Sequence, residues 1–101
     1  MTRVRLPNRR EADTAVFEHA GRRYVMTIGR DQFGEPREVF IDAGRPGDDL
    51  NMMARDLAVV SSLALQYGAP LAVLLDALDK DQDGRPAGPL GVALAMVGAD
   101  Q

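Results

Sequence analysis

The residues with the clearest chemical pattern are Asp79, Asp81 and Asp83, followed by Gly84 in "DKDQDGRPAGPL" (79–90). Alternating carboxylates before a glycine open a helix–loop–helix calcium site, where oxygens at loop positions 1, 3 and 5 surround the ion. Such a loop closes with a bidentate glutamate at position 12, which is Leu90 here, a side chain with no oxygen. Position 8 is Pro86, which removes a backbone N–H. The favoured reading is an acidic, solvated connector between two helices, with Asp79, Asp81 and Asp83 left as a weak cation candidate. No cofactor is expected.

A second pattern is basic. Arg3, Arg5, Arg9 and Arg10 fall within the first ten residues, and arginine forks suit carboxylate or phosphate. Residues 1–30 hold seven arginines and three acids, giving +4, and residues 31–101 hold five basic and twelve acidic groups, giving −7. These terms sum to the overall −3. A basic arm (1–12) therefore precedes an acidic body. The favoured reading is an arm that pairs with acids of its own body or of a neighbouring subunit, and the alternative is a phosphate-binding element, toward a nucleotide or nucleic acid. No aromatic residue interleaves with it, so a single-strand stacking platform is not indicated.

Other chemistry is sparse. There is no cysteine, hence no disulfide, thiolate metal site or thiol nucleophile. The one histidine, His19, has no nucleophile near it in sequence. Ser61 and Ser62 lie in an apolar run with no evident base, and a hydroxyl there is expected to bond back to the helix or sit at a close contact. No nucleophile–base pair can be assembled, so catalysis is not expected. The first residues contain no apolar leader, and no run of ~18 apolar residues occurs. A cytoplasmic protein with no membrane partner is expected.

The elements that would position these residues are legible from turn signals. β-rich runs at Thr14–His19 and Arg23–Ile28 flank the short turn "AGR", a hairpin signal. "DQFGEP" (31–36) is a second turn, and "REVFIDAG" follows as a third strand in which Val39 and Ile41 face one side and Phe40 the other. Asp48 or Asp49 can cap a helix over about Leu50–Tyr67. In it Leu50, Met53, Leu57, Val60 and Ala64 recur at helical spacing, and "LAVVSSLAL" is apolar nearly all round. Such a helix is buried on most sides, and one small sheet covers only one of them. A homo-oligomer is therefore expected. Gly68 ends the helix, Pro70 starts a second one to about Lys80, and a third begins near Pro89. The expected fold is α+β: one domain over 1–101, with a three-stranded antiparallel meander, a long buried helix and two shorter helices.

The order of blocks resembles a known family. "LPNRR" (6–10), "GRRYVMTIGRDQFGEPREVFIDAGRPGDDL", "SSLALQYGAPLAVLL" and "GRPAGPLGVAL" together are similar to the TSCPD domain, over roughly residues 3–97. That domain lies near the C-terminus of cobalamin-dependent (class II) ribonucleotide reductases and also stands alone as small proteins. The matching positions include Leu6, Pro7, Arg9, Arg10, Glu38, Phe40, Gly44, Gly47, Gln66, Tyr67, Gly68, Gly88 and Pro89. Most are turn or core positions. The polar ones, Arg9, Arg10, Glu38 and Gln66, would form an internal network or face a ligand, and the network is the favoured reading. The family's naming motif and the reductase's redox cysteines have no counterpart in these residues. The resemblance thus implies a non-catalytic module that self-associates or binds a partner, such as the ribonucleotide reductase large subunit.

Overall fold

A computed structural model describes residues 12–44 and 48–99. Three strands, β1 (Ala12–His19), β2 (Arg22–Arg30) and β3 (Pro36–Asp42), precede three helices, α1 (Asp49–Gln66), α2 (Leu71–Ala77) and α3 (Pro89–Ala99). The strands form an antiparallel meander in the order β1-β2-β3. The α+β arrangement is the one the turn signals predict.

The β1–β2 turn has two residues, Ala20 (φ 52°) and Gly21 (φ 76°). Two successive positive φ values match the right-handed twist of the strands they join. With that register fixed, Phe17 faces Tyr24 and Val16 faces Val25 across the ladder. Phe17 and Tyr24 stack with ring centroids 5.2 Å apart, on the inner face that also carries Met26, Ile28, Val39 and Ile41. Side chains alternate across a strand, so Val16, Val25 and Phe40 lie on the outer face, all at least one-third exposed.

Helix α3 covers the inner face. Its Leu90, Ala93, Leu94 and Val97 join the sheet's core cluster, and α2 adds Leu71, Leu74 and Leu75 at the margin. Gly91 permits a close approach: a Cβ there would sit 2.9 Å from the Pro86 Cβ. Helix α2 is shorter than "PLAVLLDALDK" implies, because Leu78 is already extended. The Lys80 ammonium donates to the carbonyls of Leu75, Asp76 and Leu78 at 2.8–3.2 Å, closing the helix end.

Helix α1 ends at Gly68 (φ 100°) in a paired motif. Ala69 N–H donates to the Ala64 carbonyl at 2.9 Å, and Gly68 N–H to that of Leu65 at 3.1 Å. At its other end Asp48 accepts from Leu50 N–H at 2.8 Å. Among the described residues no helix is long and apolar enough to cross a membrane.

Candidate functional site

The long helix is turned the opposite way from its hydrophobic periodicity. Its inward face is Asn51, Ala54, Ala58, Ser61, Ser62, Leu65 and Gln66. Leu57 and Val60, expected in the core, are 47% and 64% exposed. The reason lies in what the helix packs against. Strand β3 is an edge strand, and its odd-numbered residues point their backbone N–H and C=O groups away from β2. Those groups need partners once buried.

Helix α1 supplies them. Near its start, Asn51 Oδ1 accepts from Ala43 N–H at 2.8 Å. Further along, Ser62 Oγ accepts from Val39 N–H at 2.8 Å and donates toward Val39 O (3.0 Å) or Ala58 O (2.9 Å). At its end Gln66 Nε2 donates to Arg37 O at 3.1 Å. Eleven helical residues rise about 16 Å, and the four strand residues from Ala43 back to Val39 span about 13 Å, so the polar side chains keep step with the edge. Small residues, Ala54 and Ala58, let the two backbones approach between them. The helix thus acts as a fourth strand toward β3.

Arg37 ties this seam to the β2–β3 loop. Its Nε donates to Asp31 Oδ2 at 3.0 Å and its Nη1 to the Leu65 carbonyl at 2.7 Å. Burial alone would raise the Asp31 pKa, but the Arg37 bond and the N–H groups of Glu35 and Phe33 outweigh it and hold the carboxyl below its ordinary value. At the opposite end of α1, Arg22 Nη2 donates to Asp48 Oδ2 at 2.9 Å. That bond, with the Leu50 N–H, keeps Asp48 below its ordinary value too.

The acidic connector repeats a loop seen earlier in the chain. "DQFGEP" (31–36) and "DQDGRP" (81–86) share a D-Q-x-G-x-P pattern. In both, one aspartate oxygen accepts from two backbone N–H groups: Asp31 from Phe33 and Glu35, Asp81 from Asp83 and Arg85, at 2.8–3.0 Å. The glycines have φ 81° and 80°. Asp81 thereby folds a tight turn, and Lys80 pairs with Pro86 as a single bridge. Asp79 and Asp83 are exposed on either side. Among the described residues no group of three or more His, Asp or Glu is placed to hold a metal ion.

The remaining sequence candidates separate. Arg3, Arg5, Arg9 and Arg10 lie outside the described residues. Glu38, half-buried, sits opposite Gly29 on β2, and Gln66 is in the edge seam. His19 Nε2 lies 3.1 Å from the Ala87 carbonyl. A concavity of about 510 Å³ beside the first hairpin is lined by Arg22, Arg23 and Tyr24 among others, but the Arg22 charge is already matched by Asp48.

What sequence reasoning placed wrongly is which side of α1 turns outward. Met52, Met53, Leu57, Val59, Val60, Leu63 and Tyr67 are each 39–64% exposed. Folded monomers rarely leave a contiguous apolar surface of this kind without a use. This face is the chain's candidate functional site, an apolar surface carried on a helix whose polar side is hydrogen-bonded to the sheet.

The sequence profile of the TSCPD domain matches residues 2–97, and the chain belongs to that family. It is 36% identical over 77 residues to a vitamin B12-dependent ribonucleotide reductase of Agrobacterium fabrum, a match covering 74% of this chain and 6% of that protein. A protein of the same name from Bradyrhizobium diazoefficiens is 33% identical over 88 residues, covering 87% of this chain and 7% of its own length. The Rhodopirellula baltica counterpart is 32% identical over 74 residues, 73% of this chain and 7% of its own. No solved structure matches.

Proposed function

We propose that this chain is a non-catalytic interaction module, acting through the outward face of α1 by self-association or by contact with a partner. The supporting observation is that face itself: seven large apolar side chains, half-exposed, on a helix hydrogen-bonded to the sheet from its other side. A helix bonded to the sheet on one side already has its backbone placed, so binding has only the exposed side chains to order. These residues include no cysteine for thiol or radical chemistry of their own.

The relatives point to the natural setting. Their matched part is 6–7% of a vitamin B12-dependent ribonucleotide reductase. The module's partner is then a cobalamin-dependent reductase large chain, its process nucleotide metabolism and its compartment the cytoplasm. Calorimetric titration of the purified protein into such a chain tests this. Binding that Val60→Glu abolishes is expected. Binding that Val60→Glu leaves intact, or no binding in a protein that is also monomeric, would overturn the reading.

A further inference from the structure

We infer that the outward face of α1 pairs with the same face of a second copy, two helices packed antiparallel about a two-fold axis at Val60. The inference rests on the reading of α1 as a contact face and adds its occupant and geometry.

Three observations carry it. The first is shape. At 100° per residue, Met53, Val60 and Tyr67 form the centre line of the exposed face. Met52, Val59 and Leu63 flank one side, and Leu57 and Ala64 the other. Val60, the most exposed of these at 64%, is the midpoint of the stripe. An antiparallel two-fold through it keeps each flank against its own kind and sets Met53 against Tyr67, Leu57 against Ala64, and Val60 against itself. A thioether beside an aromatic ring is a favourable contact, and the small Ala64 leaves room for Leu57. A symmetric interface needs just such a self-complementary patch.

The second is charge. Asp56 is the one charged residue within this stripe, and Arg55 lies at its border. The antiparallel register places Asp56 beside the second copy's Leu63, within about one turn of its Tyr67. The phenol O–H can then donate to the carboxylate, so the charge is not left bare on burial. Antiparallel helices also oppose their dipoles head to tail.

The third is area. The exposed parts of the seven large side chains amount to about 600 Å² per copy, so the pair can bury at most roughly 1,200 Å², the lower bound of stable specific interfaces. The outer face of the sheet offers less, with Val16, Val25 and Phe40 separated by Thr14 and Thr27.

A charge-swap experiment decides between this and other occupants. Light scattering on the full chain at tens to hundreds of micromolar should give twice the 10.9 kDa chain mass. Val60→Glu and Val60→Lys should each give the single-chain mass with an unchanged circular dichroism spectrum, since Val60 is 64% exposed. Mixing the two variants one to one should restore the double mass, because opposite charges then meet on the axis. Met53→Cys mixed with Tyr67→Cys should cross-link on oxidation, in a chain with no other thiol. A monomeric wild type, or a dimer indifferent to Val60→Glu, would overturn the pairing. If the wild type is monomeric yet binds a reductase chain in a Val60-dependent way, the pairing fails while the contact-face reading stands. If neither association is seen, both fail.

Discussion

Replacing Ser62 by alanine tests the edge seam at its centre. The hydroxyl accepts from Val39 N–H at 2.8 Å, and Val39 is 0% exposed, so no solvent can take its place. Removing the acceptor leaves a buried donor bare, at about 1–3 kcal/mol. Alanine returns roughly 0.5 kcal/mol of helix propensity. The net loss should be about 0.5–2.5 kcal/mol, which lowers Tm by roughly 4–8 °C for each kcal/mol in a domain of this size. Urea unfolding followed by circular dichroism measures it. Asn51→Ala, which bares Ala43 N–H, should cost a similar amount. The two sites are about 16 Å apart along the helix, so the double mutant should be additive within about 0.5 kcal/mol. A Ser62→Ala protein as stable as the wild type would refute the idea that α1 stands in for a missing strand.

Two further outcomes follow from the loops and their acids. Asp81→Ala should loosen the 81–86 turn and lower stability by about 1 kcal/mol, while millimolar calcium should leave the Tm of the wild type unchanged. A calcium-dependent rise lost on Asp81→Asn would contradict the role given to this aspartate. Asp31 and Asp48 both titrate below their ordinary value. A carboxylate with a depressed folded-state pKa stabilises the fold above the unfolded pKa near 4, and that contribution is lost as pH falls through the folded value. Stability should therefore drop below about pH 4, and Asp31→Asn should flatten the drop, as read by urea midpoints against pH.

The strands were legible because each is bounded by a turn with its own chemistry. Gly21 and the Gly34–Pro36 pair mark the ends, and alternation alone separates Val39 and Ile41 from Phe40. The helices were legible as helices, from Asp48 at one cap and Gly68 at the other. The orientation of α1 was not. Hydrophobic periodicity identifies the apolar side of a helix, and a core position is inferred by assuming that side turns inward. Here the inward side faces an open strand edge, whose unpaired N–H and C=O groups select Asn51, Ser62 and Gln66 over leucine and valine. A signal existed: three hydrogen-bonding side chains on one helix face, at a spacing matched to Arg37–Ala43. The earlier D-Q-x-G-x-P loop at 31–36 was likewise in view. It marks the aspartates of 79–83 as part of a turn, because the same pattern already serves as a hairpin loop between two strands.

Hydroxyl-radical footprinting of the methionines, at dilute and at high protein concentration, tests the role of α1 most directly. Met52 and Met53, 54% and 56% exposed, should oxidise quickly when dilute and become protected as the copies pair. Met26, 1% exposed, should react slowly in both. Reactivity of Met52 and Met53 that stays high at every concentration would contradict self-pairing through this helix.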